Sequence, residues 1–486
     1  MSDATSPPAV HFVTLGCPKN RVDSELMLGR LEEAGVDLTL DAEAADVIVV
    51  NTCGFIEAAK KESIEVILEM ARHRAEGRAR KLVVTGCLVQ RYGEDLRREI
   101  PEVDDYLGNG AYQSVADVAL GAVRGLEEAP SLEVEAPTFI HQATSPRVNT
   151  FLPHSAYVKV AEGCDQRCAF CIIPKLRGKQ RSRTVADVVR EAEALAARGV
   201  VELNLVAQDL TGYGYDQRPH ARLHDLLFAL NEVEGLRWIR THYLYPRPFP
   251  KDLLRAFAEC EKVVPYVDMP LQHISDRMLK RMQRGRPRAF VEKLLDDLRR
   301  TIPQASLRTS FIVGFPGETD ADFEELCAFV KEQDFERVGV FPFSREEDTP
   351  SFDLDGQVEP RVIEARHDHL MRLLRDQSRE AMAEYEGRRL EVLVDGVSPE
   401  TELLLEGRHP GQAPEVDGTV YLNDGQELAR AGDIVEATVT ETHDYDLVAR
   451  IERVLHPAPE RPEHARLDAA ALAPLTAGRR MLRVVS

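Results

Sequence analysis

Six of the eight cysteines in this 486-residue chain stand in two sets of three, and no other feature limits the fold so strongly. The tighter set is Cys164, Cys168 and Cys171, a C-x₃-C-x₂-C spacing with Phe170 just before the third cysteine. Thiolates bind iron–sulfur clusters, and a 4Fe–4S cubane takes four ligands. Three clustered ligands leave one iron open to a substrate or cofactor, which is the arrangement of a working cluster. The alternatives at this spacing are a zinc knuckle lacking its fourth ligand, or chance.

The second set is spread over a repeat. Apolar runs at Val10–Leu15, Val47–Asn51 and Leu82–Thr85 each end near a cysteine, Cys17, Cys53 and Cys87, and each is followed by a helical pattern. Continuous apolar strands alternating with helices predict a doubly wound parallel sheet, with ligands placed beyond the carboxyl ends of its strands. Adjacent strands lie about 4.8 Å apart, so neighbouring strand ends can bring three sulfurs together. Each cysteine taken singly also fits a small buried hydrophobe. Three at one structural position favour a second three-thiolate site.

From 156 to 345 six strand patterns alternate with helices, at Ala156–Ala161, Val201–Ala207, Leu236–Thr241, Val263–Met269, Ser306–Val313 and Arg337–Phe343. This is a partial (β/α)₆ barrel. Barrel enzymes carry their chemistry on the loops after the strands, and Cys164, Cys168 and Cys171 follow the first strand. A helix over roughly 361–386 leads to short strands at Leu390–Asp395, Thr401–Glu406, Gly418–Leu422 and Asp433–Thr440, the pattern of a small antiparallel β-barrel. The expected organisation is therefore α/β, with domains at 9–125, 150–384 and 387–455. The proline-broken stretch 125–155 reads as a linker and the tail 456–486 as disordered.

The net charge of −21 argues against a protein whose main task is gripping a polyanion and favours a cationic partner. The last barrel carries 16 acidic residues against 6 arginines and no lysine over Glu386–Leu455, a poor surface for nucleic acid. No apolar run approaches the roughly 18–20 residues of a membrane span, and the N-terminus lacks the basic and apolar regions of a signal peptide. The expectation is a cytoplasmic protein without membrane attachment, whose cysteines are metal ligands and free thiols.

The Cys164–Cys171 spacing resembles the radical S-adenosylmethionine (SAM) superfamily. With the strand-end cysteines and a final barrel resembling the TRAM domain, the chain from about His11 to Leu455 resembles the radical SAM methylthiotransferase family. The resemblance implies two 4Fe–4S clusters and SAM, used both as methyl donor and as radical source. Cys164, Cys168 and Cys171 would hold the cluster that splits SAM; Cys17, Cys53 and Cys87 would hold the one that supplies sulfur. Two branches differ in substrate, adenosine in transfer RNA or an aspartate β-carbon on basic protein number twelve of the small ribosomal subunit. Gly16-Cys17-Pro18-Lys19-Asn20 resembles the ribosomal-protein branch, where the tRNA branch usually has Gln in place of Pro18. Met269-Pro270-Leu271-Gln272-His273 and Gly314-Phe315-Pro316-Gly317-Glu318-Thr319 fit it too. That branch implies an electron donor and a sulfur donor as further partners, with nucleic acid not the primary substrate. The two cluster sites would have to face each other, so the N-terminal domain should cover the barrel mouth.

Smaller signals are more open. Gln208 and Asp209 end the second barrel strand within reach of SAM or substrate. Lys175, Arg177, Lys179, Arg181 and Arg183 alternate after the cluster motif, either contacting SAM or substrate or lying on a solvated loop. Glu318 is expected to cap the helix beginning near Asp320, His273 to be structural, and Cys260 and Cys327 to pack in the core.

Overall fold

The computed structural model describes residues 7–123 and 131–460. The N-terminal unit runs β1 (Ala9–Thr14), α1 (Pro18–Glu33), β2 (Asp37–Thr39), β3 (Val47–Thr52), α2 (Glu57–Glu76), β4 (Lys81–Gly86), α3 (Cys87–Glu99), β5 (Asp105–Leu107), α4 (Val115–Val123) and β6 (Ser131–Glu133). Its strands are all parallel, in the order β2-β1-β3-β4-β5-β6. Central β3 is buried along its whole length because helices cover both faces of the sheet. One apolar core forms on each face, around Val22, Leu26 and Val49 on one and Ile48, Val66 and Val84 on the other. The doubly wound expectation holds. The chain changes winding direction between β1 and β3, which makes a crevice at their carboxyl ends.

The central unit comprises β7 (Ser155–Lys159), the short β8 (Ala161–Glu162), α5 (Ile173–Arg177), β9 (Arg181–Ser182), α6 (Val185–Ala197), β10 (Glu202–Val206) and α7 (Leu223–Asn231). It continues through β11 (Trp238–Thr241), α8 (Lys251–Glu259), β12 (Val263–Asp268), α9 (Asp276–Arg281), α10 (Arg288–Thr301), β13 (Ser306–Val313), α11 (Asp320–Gln333), β14 (Arg337–Pro342) and α12 (Pro360–Ala383). Six parallel strands follow in sequence order, β7-β10-β11-β12-β13-β14, the expected partial barrel. Alternate strand residues divide sharply between its faces. Ala156, Val158, Leu203, Leu205, Ile239 and Val267 meet the outer helices. The concave face carries buried Lys159, Glu202, Arg240, His242 and Asp268.

The third unit is a closed five-stranded barrel of β15 (Arg389–Val397), β16 (Leu405–Arg408), β17 (Val420–Asp424), β18 (Ile434–Thr442) and β19 (Leu447–His456). It is not wholly antiparallel, since β17 and β19 pair in parallel to close it. Strand β19 carries the order through His456; residues 461–486 of the expected tail lie outside the described residues. Within the stretch read as a linker, β6 extends the first sheet, and Val148, Thr150 and Phe151 are buried. Prolines there interrupt periodicity without preventing burial.

The units are joined by buried ion pairs. Helix α1 sends Arg21 to Glu415 at 2.7 Å and Glu25 to Arg147 at 2.6 Å, and pairs Asp23 with Lys159. Arg408 of the small barrel pairs with Glu202 at 2.8 Å and Asp395 at 2.7 Å, while Arg240 donates to the Pro410 carbonyl at 2.6 Å. At the carboxyl end of the central sheet, Arg91 of α3 meets Glu346 at 2.8 Å. Among the described residues no helix is long and apolar enough to cross a membrane.

Candidate functional site

Cys17, Cys53 and Cys87 follow β1, β3 and β4, three strands adjacent in space. Cys17 is the extended residue just ahead of α1, with Pro18 at the first helical position, and Cys87 is the first residue of α3. Pro at that position starts a helix readily, and a helix N-terminus favours a thiolate. Tight turns aim the sulfurs inward. Gly16 has φ +88°, and a Cβ there would lie 2.8 Å from Cys53 Cβ. Gly86, at φ +100°, leaves no room for a side chain against Asn51 and Thr52. The three thiols are close enough to act on each other. Burial raises the Cys53 pKa, and the charges of Cys87 and Cys17 raise it further.

Cys164, Cys168 and Cys171 form the second group, in the loop between β8 and α5. Burial pushes Cys164 and Cys171 up to about 12, with mutual repulsion adding to it. Each group also has an arginine on one sulfur. Arg177 donates to Cys87 Sγ at 3.2 Å, joined by Asn109 Nδ2 at 3.6 Å; Arg284 donates to Cys168 Sγ at 3.3 Å. Such donors favour the thiolate and orient it.

The donor set fits a pair of iron–sulfur clusters. It is all sulfur, and all eight cysteines are free thiols. Among the described residues no three His, Cys, Asp or Glu groups converge as the ligands of a single ion would. A cubane asks for one thiolate on each of three separate irons, so its ligands stand apart. Burial holds the thiols of Cys53, Cys87, Cys164 and Cys171 in the neutral form; bound metal would compensate the charge of their thiolates.

The two groups are neighbours. Helix α5 begins two residues after Cys171, and its Leu176 packs with Ile172 against Cys87. Its last residue, Arg177, is buried and donates to Asp23, to Asn20 Oδ1 at 3.1 Å and to Cys87 Sγ. Glu162 accepts from Lys159, from Arg177 at 3.4 Å and from Gln208 Nε2 at 2.6 Å. The Lys159 and Arg177 cations, outweighing burial, hold the Glu162 carboxyl down to about 2. Sequence reasoning left Arg177 undecided. Its partners lie up to 157 residues away, and only the alternation of Arg177 and Arg183 (buried) with Lys175 and Lys179 (exposed) hinted at its place.

Gln208 turns its amide to Glu162, and its own Oε1 is buried without a partner. Asp209 is buried and accepts from Gln166 Nε2 at 2.9 Å, Gly212 N at 3.0 Å and Arg247. His273 accepts from the Ile274 and Ser275 amides at the start of α9, a structural post. Glu318 does not cap α11. Thr319 does, in a reciprocal box with Asp322, because the residue directly before the helix can reach its free amides. Glu318 accepts instead from the Gly314 and Phe315 amides. Cys260 is buried in the main core, and Cys327 packs against it.

Three family models match the chain: the uncharacterized protein family UPF0004 at residues 9–108, the radical SAM superfamily at 158–330 and the TRAM domain at 387–451. A protein of Anaeromyxobacter sp. (strain K), named ribosomal protein uS12 methylthiotransferase RimO, is 55% identical over 461 residues, covering 94% of this chain and 97% of that one. A Myxococcus xanthus protein of the same name is 52% identical over 467 residues, covering 96% of each. This chain belongs to the uS12 methylthiotransferase family. As a member it is a radical SAM transferase that works with SAM and two 4Fe–4S clusters. The fold is also similar to that of the radical SAM methyltransferase TsrM from Kitasatospora setae, with a TM-score of 0.51, 16% identity and coverage of 71% of this chain and 77% of that one.

Proposed function

We propose that the protein is a cytoplasmic enzyme that replaces a hydrogen on the β-carbon of an aspartate in small-subunit ribosomal protein uS12 with a methylthio group. Cys164, Cys168 and Cys171 would hold one cluster, and Cys17, Cys53 and Cys87 the other. When bound, the clusters supply the electron that splits SAM and the sulfur that is transferred. An unactivated C–H bond offers no acidic proton, so a carbon-centred radical must take the hydrogen atom.

The chain's own residues set the stage for this. The strand-end turns and the β8–α5 loop present three thiols each. Arg177 and Arg284 donate to one sulfur of each set and counter its negative charge. Arg177 and Lys159, both on the central unit, grip Asp23 of α1 and hold the sets at a fixed separation. The buried ion pairs of α1 and α3 with the central unit tie the two sets together.

The observation that carries this reading is that Cys87 of one set packs against Ile172, the residue after Cys171 of the other, and accepts from Arg177 of the same segment. Relatives named for uS12 modification support the substrate. So does the acidic balance of the small barrel, which would attract a basic protein and repel tRNA. An electron donor and a sulfur donor complete the partners. The test compares the intact mass of uS12 and the nucleoside profile of tRNA with and without the enzyme. The expected result is a methylthio mass gain on uS12; a gain confined to tRNA would overturn the substrate.

A further inference from the structure

Helix α1 turns four charged residues into the interface with the rest of the molecule, and all four are buried: Lys19, Arg21, Asp23 and Glu25. Three have opposite charges as partners. Arg21 has Glu415, Asp23 has Lys159 and Arg177, and Glu25 has Arg147. Lys19 is the exception. It is 8% exposed, and among the described residues no carboxylate pairs with it. Its ammonium lies 3.3 Å from the centroid of the Tyr243 ring. The nearby Asp268 is already engaged, accepting from Arg308 at 3.0 Å and from the Tyr243 amide at 3.0 Å. An aromatic face attracts a cation but accepts little of the hydrogen bonding of an ammonium's three donors. Burial disfavours the ammonium, but the Tyr243 phenol and the Asp268 charge outweigh it, so Lys19 is kept as a cation that no carboxylate pairs directly.

Tyr243 gives a second, independent sign. It follows β11 at the carboxyl end of the barrel, where such folds place their chemistry. Its φ is +61°, a strained conformation for a bulky residue. Both of its backbone groups are fixed, the amide by Asp268 and the carbonyl by Leu210 N at 3.1 Å. Strain maintained in this way gathers at ligand sites.

Resting on the function proposed above, we infer that Lys19 is a specificity-determining residue whose ammonium, backed by the Tyr243 ring, binds the carboxylate of the target aspartate. SAM also carries a carboxylate, but Lys19 is placed for the other. It stands two residues after Cys17, on the set proposed to supply sulfur, and not on the Cys164–Cys171 loop. The aspartate β-carbon is bonded directly to its carboxyl carbon, so a β-carbon brought to the sulfur brings the carboxylate with it.

The test uses the full-length enzyme with both clusters rebuilt anaerobically, in wild-type, Lys19→Met and Lys19→Arg forms. Binding is measured to uS12 and to uS12 with the target aspartate changed to asparagine, and SAM binding is measured separately. Wild type should prefer the aspartate form by about tenfold to a hundredfold, the range for a hydrogen bond to a charged group. Lys19→Met should lose that preference with iron content and SAM affinity unchanged, and Lys19→Arg should restore part of it. A preference kept by Lys19→Met overturns the inference, as does weakened SAM binding with the preference intact. Equal binding of both uS12 forms by wild type also overturns it. Binding of neither form by wild type would instead count against uS12 as the substrate.

Discussion

The two sets of cysteines reach the same composition by opposite routes. Cys164, Cys168 and Cys171 lie within eight residues on one loop, so their spacing can be read directly from the chain. Cys17, Cys53 and Cys87 span 71 residues, and only the parallel order β1-β3-β4 brings them together. A site made by a loop depends less on how the rest of the domain packs, although Arg284 reaches Cys168 from 116 residues away. A site made by strand ends depends on register, turns and helix starts all at once. The difference teaches that perturbing the N-terminal sheet should damage one set and spare the other.

Cys53→Ala should break this comparison most severely. Methylthio transfer is lost while reductive cleavage of SAM to 5′-deoxyadenosine persists, and Cys168→Ala abolishes both; product analysis by mass spectrometry decides. Next is Arg177→Met, which removes the link between the sets. It leaves Asp23 with Lys159 alone and takes one cation from Glu162, deep in the interface. Breaking such buried pairs costs about 3–5 kcal/mol, seen as an earlier first transition in urea. An unchanged transition would mean the interface does not rely on it.

A pH scan of wild type against a His273 variant addresses the central unit. Burial holds the His273 imidazole down to about 4, whereas an unfolded histidine titrates near 6.5. Below pH 6.5 the unfolded chain takes up a proton that the folded one refuses, so stability present above 6.5 is lost as pH falls toward 4. The loss is about 3 kcal/mol for this one group. His273→Asn should make the fall in melting temperature between pH 6.5 and 4 shallower, the rest coming from buried His141, His242 and His409; an equally steep curve would place the titration elsewhere.

Asn51→Ala is the finer probe of the strand-end set. Asn51 Nδ2 donates to Asn20 O at 3.0 Å and Ser24 Oγ at 2.8 Å, tying the end of β3 to the start of α1. Its loss should cost about 1–3 kcal/mol and lower iron bound by the strand-end set only. Thr319→Ala, which removes the cap of α11 in the central unit, should cost about 1 kcal/mol and leave both sets filled.

Much of this was legible in the chain because it is local. The six central strands, the three strong N-terminal strands and the Cys164–Cys171 loop each declare themselves in a few consecutive residues. Strands β2, β5 and β6 have three residues each, too few for a periodic signal. Strand β19 is hard to see in the sequence because Arg450, Glu452 and Arg453 face outward and interrupt its apolar run. The deepest gap concerns buried charge. Little in the neighbourhood of Lys159, Glu202 or Arg408 announces that each will be enclosed, since each also needs a partner from another unit: Asp23 for Lys159, and Glu202 and Arg408 for each other. Lys19 was legible as a motif letter but not as a cation without a carboxylate.

The central claim is that two incompletely ligated clusters sit side by side, one on each set. Mössbauer spectroscopy with iron and sulfide analysis, after anaerobic reconstitution, tests it in the wild type and in a variant with Cys17, Cys53 and Cys87 all changed to alanine. The account expects two 4Fe–4S clusters in the first and one in the second. Equal cluster content in the two proteins would contradict it.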